Sequence, residues 1–526
     1  MMTGNPFRHR VWYTTRQRIV TSVLALAVLL SCGWYGVNWL TEPEDRGCAP
    51  GVARPPGSDE CVGVNGEGYD FGVPGLTAVA AAIGRENATL KADEYVTVAV
   101  LMPLTATDRG TRETVLHELQ GAFAQQYRAN HTSNNETPRI RLVLANTGMG
   151  NVHWRPAVDG LRTMTEAPHR LRAVTGIATS STETRQAITA LTGAGIAVVG
   201  TTITADDIAN GPGTGPGGNR YPGLARVAPT NTDEARALAR FGKVDGAKAL
   251  LVQDTRTGDH YTDTLKTAFA ASMKGAPYEP QLFTSPADPT QEGTTANTFR
   301  QITHLICDTR ADTVYFAGRH TQLRQFVNAL GARGCAERSF TVLTGDEGSY
   351  LGADPKLDRA ALKPKGSVKL TVRYASLAHP DAWAPTSGRP VPATGGSTAA
   401  YRTFVADMAT AVQDGIGPIG PVSYTDGQAI IAYDAVKTAV HAIRQATPQG
   451  AAFPPLADVA TQWPRVKGSL RVEGASGWIC LDNYGNPYDK AVPIVELAPD
   501  GSQRFVQIAW PEGKPPAAPC LPPRRG

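Results

Sequence analysis

The stretch Gly176–Asp207, GIATSSTETRQAITALTGAGIAVVGTTITADD, limits what this chain can fold into more than any other. A β-branched strand over Arg172–Ile177 runs into a Ser/Thr turn, and an amphipathic helix follows near Thr182–Thr192. A second apolar strand, Ile196–Val199, then leads into Thr201, Thr202 and Thr204. Strand, crossover helix and strand in this order make a parallel unit of an α/β sheet. Two strand ends therefore put hydroxyls at one sheet edge, one of them at a helix N-terminus whose free N–H groups suit a carboxylate. In open α/β sheets ligands sit just outside the carboxyl ends of the strands. The plainer reading is local: Ser180 with Glu183 also forms an ordinary capping box, and threonine is common at strand ends.

The alternation extends in both directions. Strands are predicted at Val96–Met102, Ile140–Ala145, Leu171–Ile177 and Ala197–Thr201, with helices near Arg112–Ala129, Arg155–Thr165, Thr182–Thr192 and Thr232–Phe241. A second alternation gives strands at Ala247–Gln253, Gln281–Thr284, Thr313–Ala317 and Phe340–Gly345. Its helices fall at Asp259–Lys274, Thr295–Cys307 and Thr321–Ala332. Strand Val368–Ala375 is expected to cross back to the first half, joined there by helices at Ala399–Val412 and Asp426–Gln445. A β-rich tail begins at Gly468. The expected fold is α/β, with two doubly wound parallel-sheet lobes and hinge crossings near Arg240 and Lys365. The glycine-rich Asn210–Asn219 has neither the Lys-Ser/Thr of a phosphate loop nor the strand–turn–helix setting of a dinucleotide site, so it reads as a flexible surface loop.

Ahead of the lobes, Ile19–Leu40 is a 22-residue stretch without a charge, enough to span a bilayer. Arg8, Arg10, Arg16 and Arg18 precede it; Glu42, Glu44 and Asp45 follow, which puts the N-terminus in the cytoplasm and the body outside. A second reading takes Leu29-Leu30-Ser31-Cys32 as a lipoprotein processing site with Cys32 acylated, although the apolar run continues for eight residues past Cys32. The predicted organisation is a basic tail over 1–18, a membrane anchor over 19–40, a tether over 41–92 and a bilobed body over 93–526. Within the body, lobe 1 takes about 95–240 plus 368–450, lobe 2 about 245–365, and the tail 466–526. Removing the four arginines of the first 18 residues leaves 47 basic against 47 acidic residues, so the body has no electrostatic case for nucleic acid.

Besides Cys32, six cysteines form local couples: Cys48 and Cys61, Cys307 and Cys335, Cys480 and Cys520. Outside the cell an even set reads as disulfides, here taken nearest neighbour to nearest neighbour among many possible connectivities. No Cys-x-x-Cys or His-Glu-x-x-His pattern supports a metal site, and no cofactor is implied. There is no Gly-x-Ser-x-Gly, the histidines are scattered, and Asp206-Asp207 and Asp346-Glu347 read first as helix caps. An enzyme is not expected.

The Gly176–Asp207 segment resembles the corresponding stretch of the leucine/isoleucine/valine-type periplasmic binding proteins, the type I solute-binding proteins of ABC transporters. SGWICLDNYGNPYDK in the tail is similar to their closing Gly-x-Ile-x-Phe-Asp-x-x-Gly-Asn-Pro hairpin. The resemblance covers roughly Tyr95–Val506. It implies that Ser180 and Ser181 hold a ligand carboxylate, and that Thr202 and Thr204 bind both carboxylate and ammonium. Tyr261 matches a lobe 2 aromatic, and Asp346 and Glu347 fall where an acid pairs with the ligand ammonium. The chain departs from the family at PLTATDRGT, which lacks the usual aromatic, and at Arg319-His320, where tyrosines are usual. An arginine there points to a ligand with an extra acidic group, or else lies on the rim in water. The implied function is capture of an amino acid or similar zwitterion for an ABC-type permease. The alternatives are a membrane-anchored sensor without transport, or an interaction module with a degenerate pocket.

Overall fold

The structure, a computed structural model, describes residues 14–41, 46–131, 136–212, 214, 216–287, 291–292, 294–384, 390–413 and 417–523. The chain divides into a unit of residues 1–47 and a unit of residues 48–526. In the first unit, among the described residues, one helix runs over Thr15–Thr41. Arg8, Arg10, Glu42, Glu44, Asp45 and the side chain of Cys32 lie outside the described residues. Among the described residues no helix is long and apolar enough to cross a membrane. The membrane-spanning reading of Ile19–Leu40 is therefore not carried by the structure. The side chains of 32–40, which complete that charge-free run, lie outside the described residues.

Among the described residues the larger unit holds two large sheets and a two-stranded one. The first takes β1 (Gly47–Ala49), β2 (Val52–Ala53), β3 (Val62–Asn65), β4 (Tyr95–Met102), β5 (Arg139–Asn146), β6 (Leu171–Gly176), β7 (Ala197–Gly200) and β8 (Leu224–Arg226). Its eight strands run in the order β1-β2-β3-β5-β4-β6-β7-β8. The strands that follow are β9 (Ala249–Asp254), β10 (Gln281–Phe283), β11 (Thr313–Ala317), β12 (Phe340–Thr344), β13 (Leu370–Ala375), β14 (Val472–Gly474), β15 (Gly477–Ile479), β16 (Val492–Leu497) and β17 (Gln503–Ala509). Seven of them form the second sheet in the order β10-β9-β11-β12-β13-β16-β17, and β14 pairs with β15 alone. β4 is parallel to both β5 and β6, and β11 is parallel to both β9 and β12, as crossover helices require. Strands at the centre of both sheets are buried along nearly their whole length, which is why they read as apolar runs rather than alternations.

Two boundaries differ from the sequence reading. The segment taken as a tether is partly built into lobe 1: β3 pairs antiparallel with β5 and all four of its residues are buried. A four-residue Val-Gly-Val-Asn strand has too little pattern to announce itself without its partner strand. The second difference is β13, which does not cross back but pairs with β12 and β16 in the second sheet. Leu370 and Val372 pack in the same core as Phe316 and Phe326, and that burial keeps the strand in lobe 2. The tail's last two strands, β16 and β17, complete that sheet.

Lobe 1 is locked by the helix Arg109–His131 lying on the helix Gln428–Ala446, which arrives from 300 residues later. The approach is so close at Gly121 that a Cβ would stand 2.0 Å from the Ala429 carbonyl oxygen, so only glycine fits. The three disulfides pair as expected: Cys48–Cys61, Cys307–Cys335 and Cys480–Cys520. In lobe 2, Phe316 stacks on Phe326 at 5.2 Å and on Phe283 at 5.5 Å, with Phe299 edge-on to Phe283. Phe316→Ala should cost about 3–5 kcal/mol, read as the shift of a denaturant midpoint, because this ring is fully buried among three others.

Candidate functional site

The carboxyl edges of the two sheets face each other, and the residues singled out in the sequence meet there. The turn after β6 is conformationally special. Gly176 has φ +80°, and a Cβ on it would stand 2.6 Å from the Leu101 carbonyl oxygen. The β-branched Ile177 and Thr179 that follow also sit at positive φ, 52° and 67°. Such backbone costs on the order of 1–3 kcal/mol per residue and persists where the surroundings fix it. It delivers Ser180 beneath β7, where its buried hydroxyl accepts a hydrogen bond from the Ala205 N–H at 3.3 Å. Ser181 is the N-cap of the helix Thr182–Gly193, accepting from the Thr184 N–H at 3.3 Å. The cap is thus Ser181, one residue after the Ser180 of the sequence reading.

Lobe 2 reaches this turn directly. The Tyr261 N–H donates to the Ser180 carbonyl at 3.3 Å, and Thr182 lies 3.3 Å from His260 Nε2. His260 Nδ1 meets Asp207 Oδ2 at 2.5 Å, and the Thr204 hydroxyl reaches Asp346 at 3.5 Å. Thr202 is partly exposed near the same edge.

Arg319 holds the centre. Its Nε and Nη2 form a fork on Asp259 at 2.8 Å each, Nη1 donates to Glu347 at 2.6 Å, and Nη2 also donates to the Ser180 carbonyl at 3.3 Å. Four of the five guanidinium N–H groups are thereby used. The guanidinium also lies 4.7 Å over the Tyr261 ring, a cation–π arrangement. Glu347 gives its other oxygen to His320, from the backbone N–H at 3.0 Å and Nδ1 at 2.7 Å, and His320 stacks on Tyr350. Arg319 is thus paired within the protein, with Asp259 and Glu347, and Glu347 is paired with both Arg319 and His320.

The electrostatics follow. Burial alone would raise the Glu347 carboxyl, but Arg319 and His320 outweigh it and hold it at about 2. Asp259 behaves alike: burial pushes up, the Arg319 guanidinium pulls further down. Asp346 goes the other way, raised by burial and by the neighbouring Glu347 charge, and Glu234 beside it is raised by burial and by Asp346. Asp346, raised to about 7, is only partly ionised at neutral pH, and Glu234 lies well above the usual carboxylate range.

Sequence reasoning missed Asp259, His260 and Asp207, which complete the seam. It also missed Glu118 on the helix Arg109–His131. Glu118 is buried with neither carboxylate oxygen hydrogen-bonded among the described residues, and burial together with nearby Asp426 pushes it to about 8. Charge and burial both bear on its neighbour Tyr350, whose phenol is raised by burial and then by Glu347 and Glu118. An Asp before a helix carries no more signal than a cap, and a glutamate at a helical core position reads as an ordinary surface residue. Among the described residues no cluster of His, Cys, Asp or Glu has the arrangement of a metal site.

With this geometry in hand, comparison with solved structures is decisive for the fold. The branched-chain amino acid substrate-binding protein LivJ of Streptococcus pneumoniae, in complex with isoleucine, superposes with a TM-score of 0.56 at 13% identity. That match covers 79% of this chain and 99% of LivJ. The fold is that of the type I periplasmic binding proteins. The leucine-binding protein LivK of Thermotoga maritima matches at TM-score 0.55 and 17% identity, over 79% of this chain and 99% of its own. An ABC-transporter solute-binding protein of R. palustris in complex with 4-hydroxybenzoate matches at 0.54 and 15%, over 79% and 96%. These neighbours are solute-binding proteins, not enzymes. No protein-family model and no curated protein sequence matches the chain.

Two measurements check the site. Arg319→Met leaves Asp259 with Arg256 alone and Glu347 with His320 alone, and should cost up to about 3–5 kcal/mol in a denaturant titration at neutral pH. The pH profile should run in two directions. Glu347 and Asp259 lie below their unfolded values, so their contribution is complete above the ordinary carboxylate range and is lost as pH falls toward 2. Glu118 lies above its unfolded value, so the folded chain holds a proton the unfolded chain lacks, and stability falls as pH rises toward 8. The melting temperature should therefore decline between pH 5 and pH 8, and Glu118→Gln should remove part of that decline; identical slopes in the two proteins would contradict it.

Proposed function

We propose that this chain is an extracytoplasmic solute-binding protein that takes a small polar ligand, an amino acid or similar zwitterion, between its lobes for an ABC-type importer. The observation that carries the reading is the seam itself. The two carboxyl edges meet through hydroxyls, a tyrosine, histidines and ion pairs, a surface that water can solvate when the lobes part. A ligand that contacts both lobes shifts an open–closed equilibrium toward closure in proportion to its extra affinity for the closed form. Three disulfides fit an oxidising compartment outside the cytoplasm. The charge-free run Ile19–Leu40 and the arginines ahead of it are the sequence's case for a single membrane anchor with the N-terminus inside, and acylation at Cys32 is the alternative tether. Structural neighbours bound to isoleucine and to 4-hydroxybenzoate support small carboxylates as the class to test.

One observation favours a second reading, a sensor or interaction module that binds no transported ligand. Arg319, Asp259 and Glu347 satisfy one another, and Ser180 and Thr204 are buried in the closed seam. A thermal-melt series of the full-length protein against amino acids and aromatic carboxylates separates the two. At a hundred times its dissociation constant a true ligand stabilises by about 2.7 kcal/mol, which is a shift of a few degrees. That shift should vanish in Thr204→Val. A flat series with well-folded protein would favour the second reading.

A further inference from the structure

The carboxyl of Glu118 is unlike the other acids buried where the lobes meet. It lies on the lobe 1 helix Arg109–His131, fully buried, and neither oxygen has a hydrogen-bond partner among the described residues. The others are met: Asp259 and Glu347 share Arg319, Asp346 accepts from Thr204, and Glu234 accepts from the Asp346 N–H. The charge that acts on Glu118 is another acid, Asp426.

Two elements pack against this turn of the helix, and they differ in kind. On the lobe 1 side His117 Nδ1 meets Asp426, and Gly121, one turn on, abuts Ala429, so Glu118 lies at the level of the start of the helix Gln428–Ala446. That face is locked, since no room is left at Gly121 for even a Cβ. From lobe 2 comes the segment Asp346–Ala353, close enough that a Cβ on Gly110 would stand 3.5 Å from the Tyr350 ring. This second face lies between the lobes, so it separates when they part. The titratable groups around it are Glu113 and His117 on the helix itself, Asp426, and from lobe 2 Asp346, Glu347 and Tyr350. His320 stacks on Tyr350, Arg319 acts on the same phenol, and Tyr374 of β13 faces Asp426 with its own hydroxyl unpartnered.

A carboxylate removed from water without a partner is costly, whereas the neutral acid is tolerated. Burial, reinforced by Asp426, accordingly keeps the proton on Glu118 up to about 8. Ionisation calls for water, and the separable face is the one that admits it.

We propose that Glu118 is a proton switch on lobe closure: the closed arrangement keeps one proton on this carboxyl, and its release to solvent hydrates the face between the helix Arg109–His131 and the segment Asp346–Ala353 and parts the lobes. The folded value lies above the unfolded one, so the contribution to closure is complete in acid and is lost as pH rises through about 8. Anything that drives closure in alkaline solution then takes up a proton. The switch acts on the lobes themselves and stands whether or not the seam takes a ligand.

The test is pulsed electron double resonance on the ligand-free, full-length protein, with nitroxide labels on the exposed Gln186 of lobe 1 and Thr267 of lobe 2. Spectra are taken at about pH 6 and about pH 9, either side of the titration of Glu118, with circular dichroism at both. The short distance seen at the lower pH should give way to a longer one at the higher pH, with unchanged circular dichroism. Glu118→Gln, which keeps a neutral group of the same shape, should hold the short distance at both. Should that variant fail to fold, Asp426→Asn supplies the second: removing the acid that raises Glu118 should move the transition to lower pH. A distance that does not change with pH in the unmodified protein, the same lengthening in Glu118→Gln, a transition unmoved in Asp426→Asn, or loss of the fold in place of lengthening would overturn the proposal.

Discussion

A guanidinium taken out of water is tolerable only when its charge and its N–H groups are met, and Arg319, so met, is one of the residues that join the two lobes of this protein. Asp259, at the start of the helix His260–Ser272, takes its fork, and Glu347, just past β12, takes the remaining arm. The same guanidinium reaches across to the Ser180 carbonyl of lobe 1. One cation thus fixes three chain segments of two lobes. The neighbouring acids respond as Coulomb's law demands. Glu347 and Asp259, which pair with Arg319, are held below the usual carboxylate range, while burial and neighbouring acids raise Glu234, Glu118 and, against the pull of Arg319, Asp346.

That balance also changes what the seam offers a ligand. An open arginine would select carboxylates by its bidentate fork. Here the fork is already on Asp259, so a ligand has to bring contacts that compensate for whatever pairing it disturbs. The fold provides the lobes and the hinge; the chemistry at the edge is this chain's own.

Much of the architecture was legible in the sequence because parallel strands are buried on both faces and flanked by amphipathic helices, giving apolar runs such as Val96–Met102 and Thr313–Ala317 with turn residues between. The disulfide couples were legible for a related reason, since short loops favour neighbouring cysteines. What stayed hidden depends on partners far along the chain. Val62–Asn65 becomes a strand only because β5 lies beside it, and Leu370–Ala375 stays in lobe 2 only because its apolar face meets Phe316 and Phe326. The site was half legible. Ser180, Thr204, Tyr261, Arg319, Asp346 and Glu347 do converge, yet their roles turned on Asp259, which lies 60 residues before Arg319 and looks in sequence like any helix cap.

The central claim is that Arg319, anchored on Asp259 and Glu347 in lobe 2, helps hold the lobes together through the Ser180 carbonyl. Nitroxide labels on the exposed Gln186 of lobe 1 and Thr267 of lobe 2, read by pulsed electron double resonance on ligand-free protein, test it most directly. The account predicts one narrow distance distribution that broadens and lengthens when Arg319 is replaced by Met. A broad or long distribution in the unmodified protein, unchanged by that replacement, would contradict it.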